Sequence, residues 1–193
     1  MATAKAEAHG SIRRIHGDAP ASEGPQRNPG TPLHLEWVRE QRVNRSAVER
    51  RAATIGTRRT VKKDWQAAWL LRAVTLMDLT TLAGDDTPGY VRRLCAKAIK
   101  PVRQDILEDL GAAGLPIRTA AVCVYHQLVP TAVAALEGSG IPVPAVSTGF
   151  PAGLSPLPQR LEEIRASVAA GAREIDVVIT RAHVLNNEWE ALY

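Results

Sequence analysis

Aromatic side chains are scarce in this chain. Phe, Trp and Tyr make up 4 % of it, with a single phenylalanine. That disfavours an aromatic-rich β-sandwich. Abundant small aliphatics, with 14 glycines and 45 % hydrophobic residues, suit close-packed α/β layers. Cysteine is limited to Cys95 and Cys123, and they form no C-x-x-C pair. The spacing expected of a redox dithiol or a cysteine-held metal is therefore missing, and both read as buried free thiols. No apolar run approaches the roughly 20 residues that a membrane span needs. No apolar core follows Lys5, as a secretory signal would require. These absences lead to the expectation of a soluble, cytoplasmic protein. No G-x-G-x-x-G follows a strand candidate and no P-loop is present, so a dinucleotide fold and a P-loop nucleotide site lose support. His126 and His183 have no ligand-spaced companions, and no metal site is expected.

Charge is distributed unevenly. Residues 1–63 hold 13 Lys and Arg against 6 Asp and Glu, a net +7, whereas residues 64–193 hold 11 against 14, a net −3. The basic excess sits at the front. It reads as a solubilising tail plus an arginine-rich helix surface. Polyanion binding is the competing reading, but aromatic interleaving and a recognisable reading motif are both missing, so no specific nucleic-acid partner is expected.

The chain divides into three parts by pattern. Residues 1–32 carry repeated Gly and Pro without apolar periodicity and read as a disordered leader. Residues 33–73 read as a helical extension. In it Ser46-Ala47-Val48-Glu49 has capping-box spacing, Gly56 is a stop, and Asp64 caps a turn with Trp65, Ala68, Trp69 and Leu70 as its apolar stripe. Residues 74–193 alternate strand and helix. Strands are expected at Val74 to Thr80, Arg118 to Val124, Val143 to Ser147 and Glu174 to Ile179. Helices are expected after Thr87-Pro88, around Asp105 to Leu110, from Leu128 to Leu136, through Leu161, Ile164, Val168 and Ala169 up to Gly171, and from near Asn187. This alternation predicts a parallel sheet covered by helices. The strands are nearly continuous in Val, Ile, Leu and Ala, as a sheet buried on both faces requires.

Chemistry-bearing residues are few. Asp176 lies in Glu174-Ile175-Asp176-Val177-Val178-Ile179 and shares a strand face with Glu174 and Val178. A carboxylate in a doubly covered strand is costly unless paired, hydrogen-bonded or protonated. Asp176 is therefore either functional or half of a structural salt bridge. Asp78, in Leu76-Met77-Asp78-Leu79-Thr80-Thr81-Leu82, is expected to end a strand, as a functional group or as a turn cap. Cys123 has no base in view and reads as a core thiol lining a pocket rather than a nucleophile. Trp65 and Trp69 read as core rather than as a stacking platform.

Taken together, Thr60-Val61-Lys62-Lys63, Met77-Asp78-Leu79-Thr80-Thr81-Leu82, Asp85-Asp86-Thr87, Ala120-Ala121-Val122-Cys123-Val124-Tyr125, Gly149-Phe150-Pro151-Ala152-Gly153 and Glu174-Ile175-Asp176-Val177-Val178-Ile179 make the chain resemble the deoxyribose-phosphate aldolase family of class I aldolases. The resemblance runs from about Arg59 through Tyr193. It implies a (β/α)₈ TIM barrel, of which this chain supplies the amino-terminal half, about four strand–helix units behind a short helical extension. It implies reversible cleavage of 2-deoxy-D-ribose 5-phosphate to acetaldehyde and D-glyceraldehyde 3-phosphate through a lysine Schiff base. No cofactor, metal or membrane is implied. By the same resemblance Asp176 is the proton relay, Asp78 belongs to the active-site network, and Cys123 and Thr80 belong to the substrate pocket.

The family's Schiff-base lysine, its second lysine and its phosphate loops belong to the sixth, seventh and eighth strands. Lys5, Lys62, Lys63, Lys97 and Lys100 all lie outside the expected strands. Smaller departures are His126, where a proline commonly follows the tyrosine, and Thr180, where the family often has asparagine or proline. The expectation is that the chain is inactive alone. The alternative is a non-catalytic half-barrel that self-associates or needs a complementary half.

Overall fold

A computed structural model describes residues 30–58 and 60–193. Most of the expected leader, residues 1–29, lies outside the described residues. Everything below belongs to the unit Pro32–Tyr193.

Three helices come first: α1 (Leu35–Glu40), α2 (Arg45–Arg58) and α3 (Lys63–Val74). The start of α2 differs from the capping-box reading. The Asn44 side-chain oxygen accepts from the Ala47 backbone N–H at 3.0 Å, so Asn44 takes the role expected of Ser46. The helix also runs through Gly56 to Arg58. Asp64 lies in the first turn of α3 rather than at its cap, where its charge suits the helix dipole. Trp65, Trp69 and Leu70 are exposed, contrary to the core reading.

Four parallel strands follow in the order β1 (Asp78–Thr81), β2 (Ala121–Tyr125), β3 (Pro144–Ser147) and β4 (Glu174–Val177). Each pairs with the next in sequence, and helices occupy every crossover. These are α4 (Pro88–Ile99) with α5 (Gln104–Asp109) between β1 and β2, α6 (Val129–Ala135) between β2 and β3, and α7 (Leu157–Ala169) between β3 and β4. After β4 come α8 (Arg181–Leu185) and α9 (Trp189–Leu192). Sequential parallel order with outer helices is the architecture of a half (β/α)₈ barrel.

Local chemistry explains α4 well. Thr87 accepts from the Tyr90 N–H at 3.2 Å, Pro88 opens the helix, and Val91, Cys95 and Ala98 recur on one face. That face packs with Val122, Val124, Val129, Ala132 and Ala145 into one core. Each fully buried valine contributes about 1.5–3 kcal/mol. By contrast, Val74 to Met77, expected as strand, is the end of α3 and a turn. The apolar run there continues a helix begun at Lys63 instead of starting an extended segment. β4 also stops at Val177, two residues short of expectation, and α8 follows where no helix was expected. Leu161 and Val168 of α7 are exposed; the buried residue of that helix is Ser167.

Candidate active site

Strand alternation and register decide which side chains meet. Asp78 pairs with Ala121 and Thr80 with Cys123 across β1 and β2. Tyr125 pairs with Val146 across β2 and β3, and Val146 with Asp176 across β3 and β4. Asp78, Thr80, Cys123, Val146, Glu174 and Asp176 therefore share the face turned away from the helices. Leu79, Val122, Val124, Ala145 and Ile175 take the helix-covered face. The four residues singled out from the sequence thus come together on one side of the sheet.

Their environments differ from expectation in one respect. β2 and β3 are buried along nearly their whole length, but β1 and β4 are the outer strands of the described sheet. Asp78, Thr80, Glu174 and Asp176 are exposed. Asp176 is not in a doubly covered strand and pairs with no cation among the described residues, so neither burial cost nor a described core cation accounts for it. Asp78 begins its strand rather than ending it. The turn-cap role belongs to Asp86: Thr81 Oγ1 donates to both its oxygens at 2.8 and 2.9 Å, and the Ala83 N–H donates at 3.0 Å.

Cys123 is the buried member, 3 % exposed. Burial first, then the Asp176 and Asp78 carboxylates, push its thiol from 9.0 up to about 11; Glu174 adds to this and a backbone hydrogen bond at Val146 opposes it. The thiol is thus held protonated and is a poor nucleophile at neutral pH. Cys95 is buried on the inward face of α4, and burial likewise raises its pKa.

At the carboxyl ends of β3 and β4 two loops are joined. Thr148 Oγ1 donates to the Val178 carbonyl at 2.8 Å and accepts from the Val178 N–H at 2.8 Å. The Gly149 N–H donates to Glu163 at 3.0 Å, and the Phe150 ring meets Tyr125 edge-on at 5.9 Å. Gly153 has φ +68, and a Cβ there would lie 2.9 Å from the Ile179 carbonyl oxygen. Arg160 and Glu163 of α7 hold this mouth together, yet no motif marks either in the sequence. A cavity of about 400 Å³ beside the loops is lined in part by Asp86, Tyr125, His126 and Glu163. Another cavity, about 630 Å³, lies by Arg39, Arg42 and Trp189 and touches none of the strand residues. Among the described residues no cluster of His, Cys, Asp or Glu could hold a metal ion, and no helix is long and apolar enough to cross a membrane. His183 instead pairs with Glu188 at 2.5 Å.

The chain is 57 % identical to human deoxyribose-phosphate aldolase over 168 residues, which is 86 % of this chain and 53 % of that protein. It is 58 % identical to the mouse enzyme of the same name over 166 residues, 85 % of this chain and 52 % of that one. Over this span the chain is strongly similar to deoxyribose-phosphate aldolases. It covers about half the length of these curated relatives. No protein-family model matches it. Two crystal structures assigned as deoxyribose-phosphate aldolases share its fold. One, from Coccidioides immitis, has a TM-score of 0.51 and 24 % identity, covering 63 % of this chain and 42 % of its own. The other, from Toxoplasma gondii, has a TM-score of 0.51 and 20 % identity, covering 66 % and 43 %. The likeness to these structures agrees with the strand order and the outer helices.

Proposed function

We propose that this chain carries the proton-handling side of a deoxyribose-phosphate aldolase site, acting on 2-deoxy-D-ribose 5-phosphate. The observation that supports it is the shared face of Asp78, Thr80, Cys123 and Asp176, in a chain more than half identical to enzymes of that name. Cleaving a carbon–carbon bond beside a hydroxyl needs an electron sink, and a protonated lysine imine supplies one. An exposed aspartate on the inner face can pass protons, through a water, during imine formation and enamine protonation. Asp78 would hold the active-site network, and Thr80 and the protonated Cys123 would line the pocket.

The described strands contain no lysine. Lys62 and Lys63 lie at the start of α3, Lys97 lies in α4, and Lys100 follows it. A free lysine, with a pKa of about 10.4, also needs desolvation or a neighbouring cation before it can attack at neutral pH. The reading therefore places the imine-forming lysine outside the described strands. Borohydride trapping of the purified chain with deoxyribose 5-phosphate, followed by intact mass analysis, is expected to give no adduct. A stoichiometric adduct on one lysine of this chain would overturn the assignment.

A second reading, a non-catalytic half-barrel that associates with a copy or a partner half, has its own support. β1 and β4 each leave one edge unpaired within the described sheet, and Leu76, Met77, Val177 and Ile179 are exposed.

A further inference from the structure

We propose that Arg160 is a positioning residue that ties the loop after β3 to the loop after β4 and thereby sets the carboxyl end of the strand carrying Asp176. The proposal rests on reading Asp176 as the proton relay. Arg160 lies in the first turn of α7 and is half-buried. Its guanidinium spans both loops. Nη2 donates to the Gly153 carbonyl at 2.6 Å, Nε donates to the Ser155 carbonyl, and Nη1 donates to Thr180 Oγ1 at 2.9 Å. Thr180 in turn donates to the Gly153 carbonyl at 3.0 Å, closing a ring of contacts. No carboxylate of the described residues pairs with Arg160. Its planar fork is spent on neutral acceptors in fixed directions, a task a lysine ammonium cannot copy.

The position of this ring gives it consequence. Within the described sheet β4 is paired on one side only, and after Val177 its backbone leaves the ladder. Beyond that point it is held by Thr148 at Val178, by the close approach of Gly153 to Ile179, and by Arg160 at Thr180. Asp176 lies two residues before the first of these ties. Loss of the Arg160 arm frees the segment that fixes where the carboxylate stands. Thr180, a departure from the family's usual residue, is the acceptor that makes the arm reach across.

Cys123 reports on the geometry without any need for activity, because Asp78 of β1 and Glu174 and Asp176 of β4 act on its thiol. In a Cys95→Ser background, the pH profile of Cys123 alkylation is measured for the parent, Asp176→Asn, Arg160→Gln and the double variant. Near-ultraviolet circular dichroism confirms folding. Asp176→Asn should lower the profile's midpoint. Arg160→Gln should lower it as well, yet add nothing on top of Asp176→Asn, since it acts through that carboxylate. General loosening around the thiol would instead shift the midpoint equally in both backgrounds, and that result would overturn the proposal, as would an unmoved midpoint in Arg160→Gln. Should Arg160→Gln fail to fold, Thr180→Val removes one arm and leaves the two carbonyl contacts of Arg160, and the same cycle applies. An Asp176→Asn profile identical to the parent would show that the carboxylate does not face the thiol. That would sink the site reading itself, a failure distinct from an inert Arg160.

Discussion

Asp176 and Cys123 occupy neighbouring positions in kind but opposite ones in environment. Asp176 is exposed and has no cation partner among the described residues, so removing its charge strands none of them. Asp176→Asn should change the unfolding free energy, measured by denaturant titration, by no more than about 0.5 kcal/mol, the usual scale for an exposed substitution. A loss of several kcal/mol would show that the residue balances a buried cation after all. In an assembly with imine chemistry the same change should lower turnover by about 10²-fold or more, as loss of a general acid–base does. Cys123 behaves differently because its thiol keeps its proton up to about 11 when folded and releases it near 9.0 when unfolded. Between those values the unfolded chain binds fewer protons, so ionisation favours unfolding. Stability should be full below pH 9 and should fall as pH rises toward 11. Comparing urea midpoints of the parent and Cys123→Ser across that window isolates the effect, since the serine variant lacks this part of the slope. Parallel curves would contradict the buried, protonated thiol.

Among the elements, the segment from Gly149 to Gly153 carries the sharpest steric demand. Gly153 combines φ +68 with a Cβ position 2.9 Å from the Ile179 carbonyl and 3.0 Å from Val178 Cγ1. Gly153→Ala should cost roughly 1–3 kcal/mol through backbone strain and the clash together. A thermal or urea midpoint within error of the parent would mean the two loops do not approach so closely. The same loops mark the limit of sequence legibility. Helix α4 was legible because its cap, its proline and its apolar period agree, and each is a local signal. β2 and β3 were legible as short apolar runs. The start of β1 was not, because Val74 to Met77 is apolar enough for either state and α3, already under way, captures it. The exposure of Asp176 was not legible either. Burial of a strand depends on its neighbours in the sheet, and β4 has a described neighbour on one side only. The Arg160 contacts join positions 153, 155, 160 and 180, a coincidence in space that no periodicity announces.

The molecule as a whole presents an inner face of one sign. The described strands carry Asp78, Glu174 and Asp176 and no lysine or arginine. Two copies closing face to face would oppose these carboxylates inside a space of reduced dielectric, where like charges repel strongly. A partner half with basic side chains meets no such cost. The apolar surfaces pull the other way. Trp65, Trp69, Leu70, Leu76 and Met77 are exposed on and just after α3, and Leu157, Leu161 and Val168 on α7. Burial of such surface favours association whatever the partner's charge. The expected behaviour of the purified chain is therefore association through helix faces and sheet edges, with the inner faces kept apart. Light scattering at rising protein concentration should show increasing mass, and that mass should respond weakly to salt, because apolar contacts are little screened. Closure of two copies through the inner faces predicts the contrary, assembly that strengthens steeply with ionic strength as the carboxylates are screened. Asp78→Asn with Asp176→Asn would then promote it at low salt. A concentration-independent monomer that unfolds cooperatively would dismiss both forms of self-association.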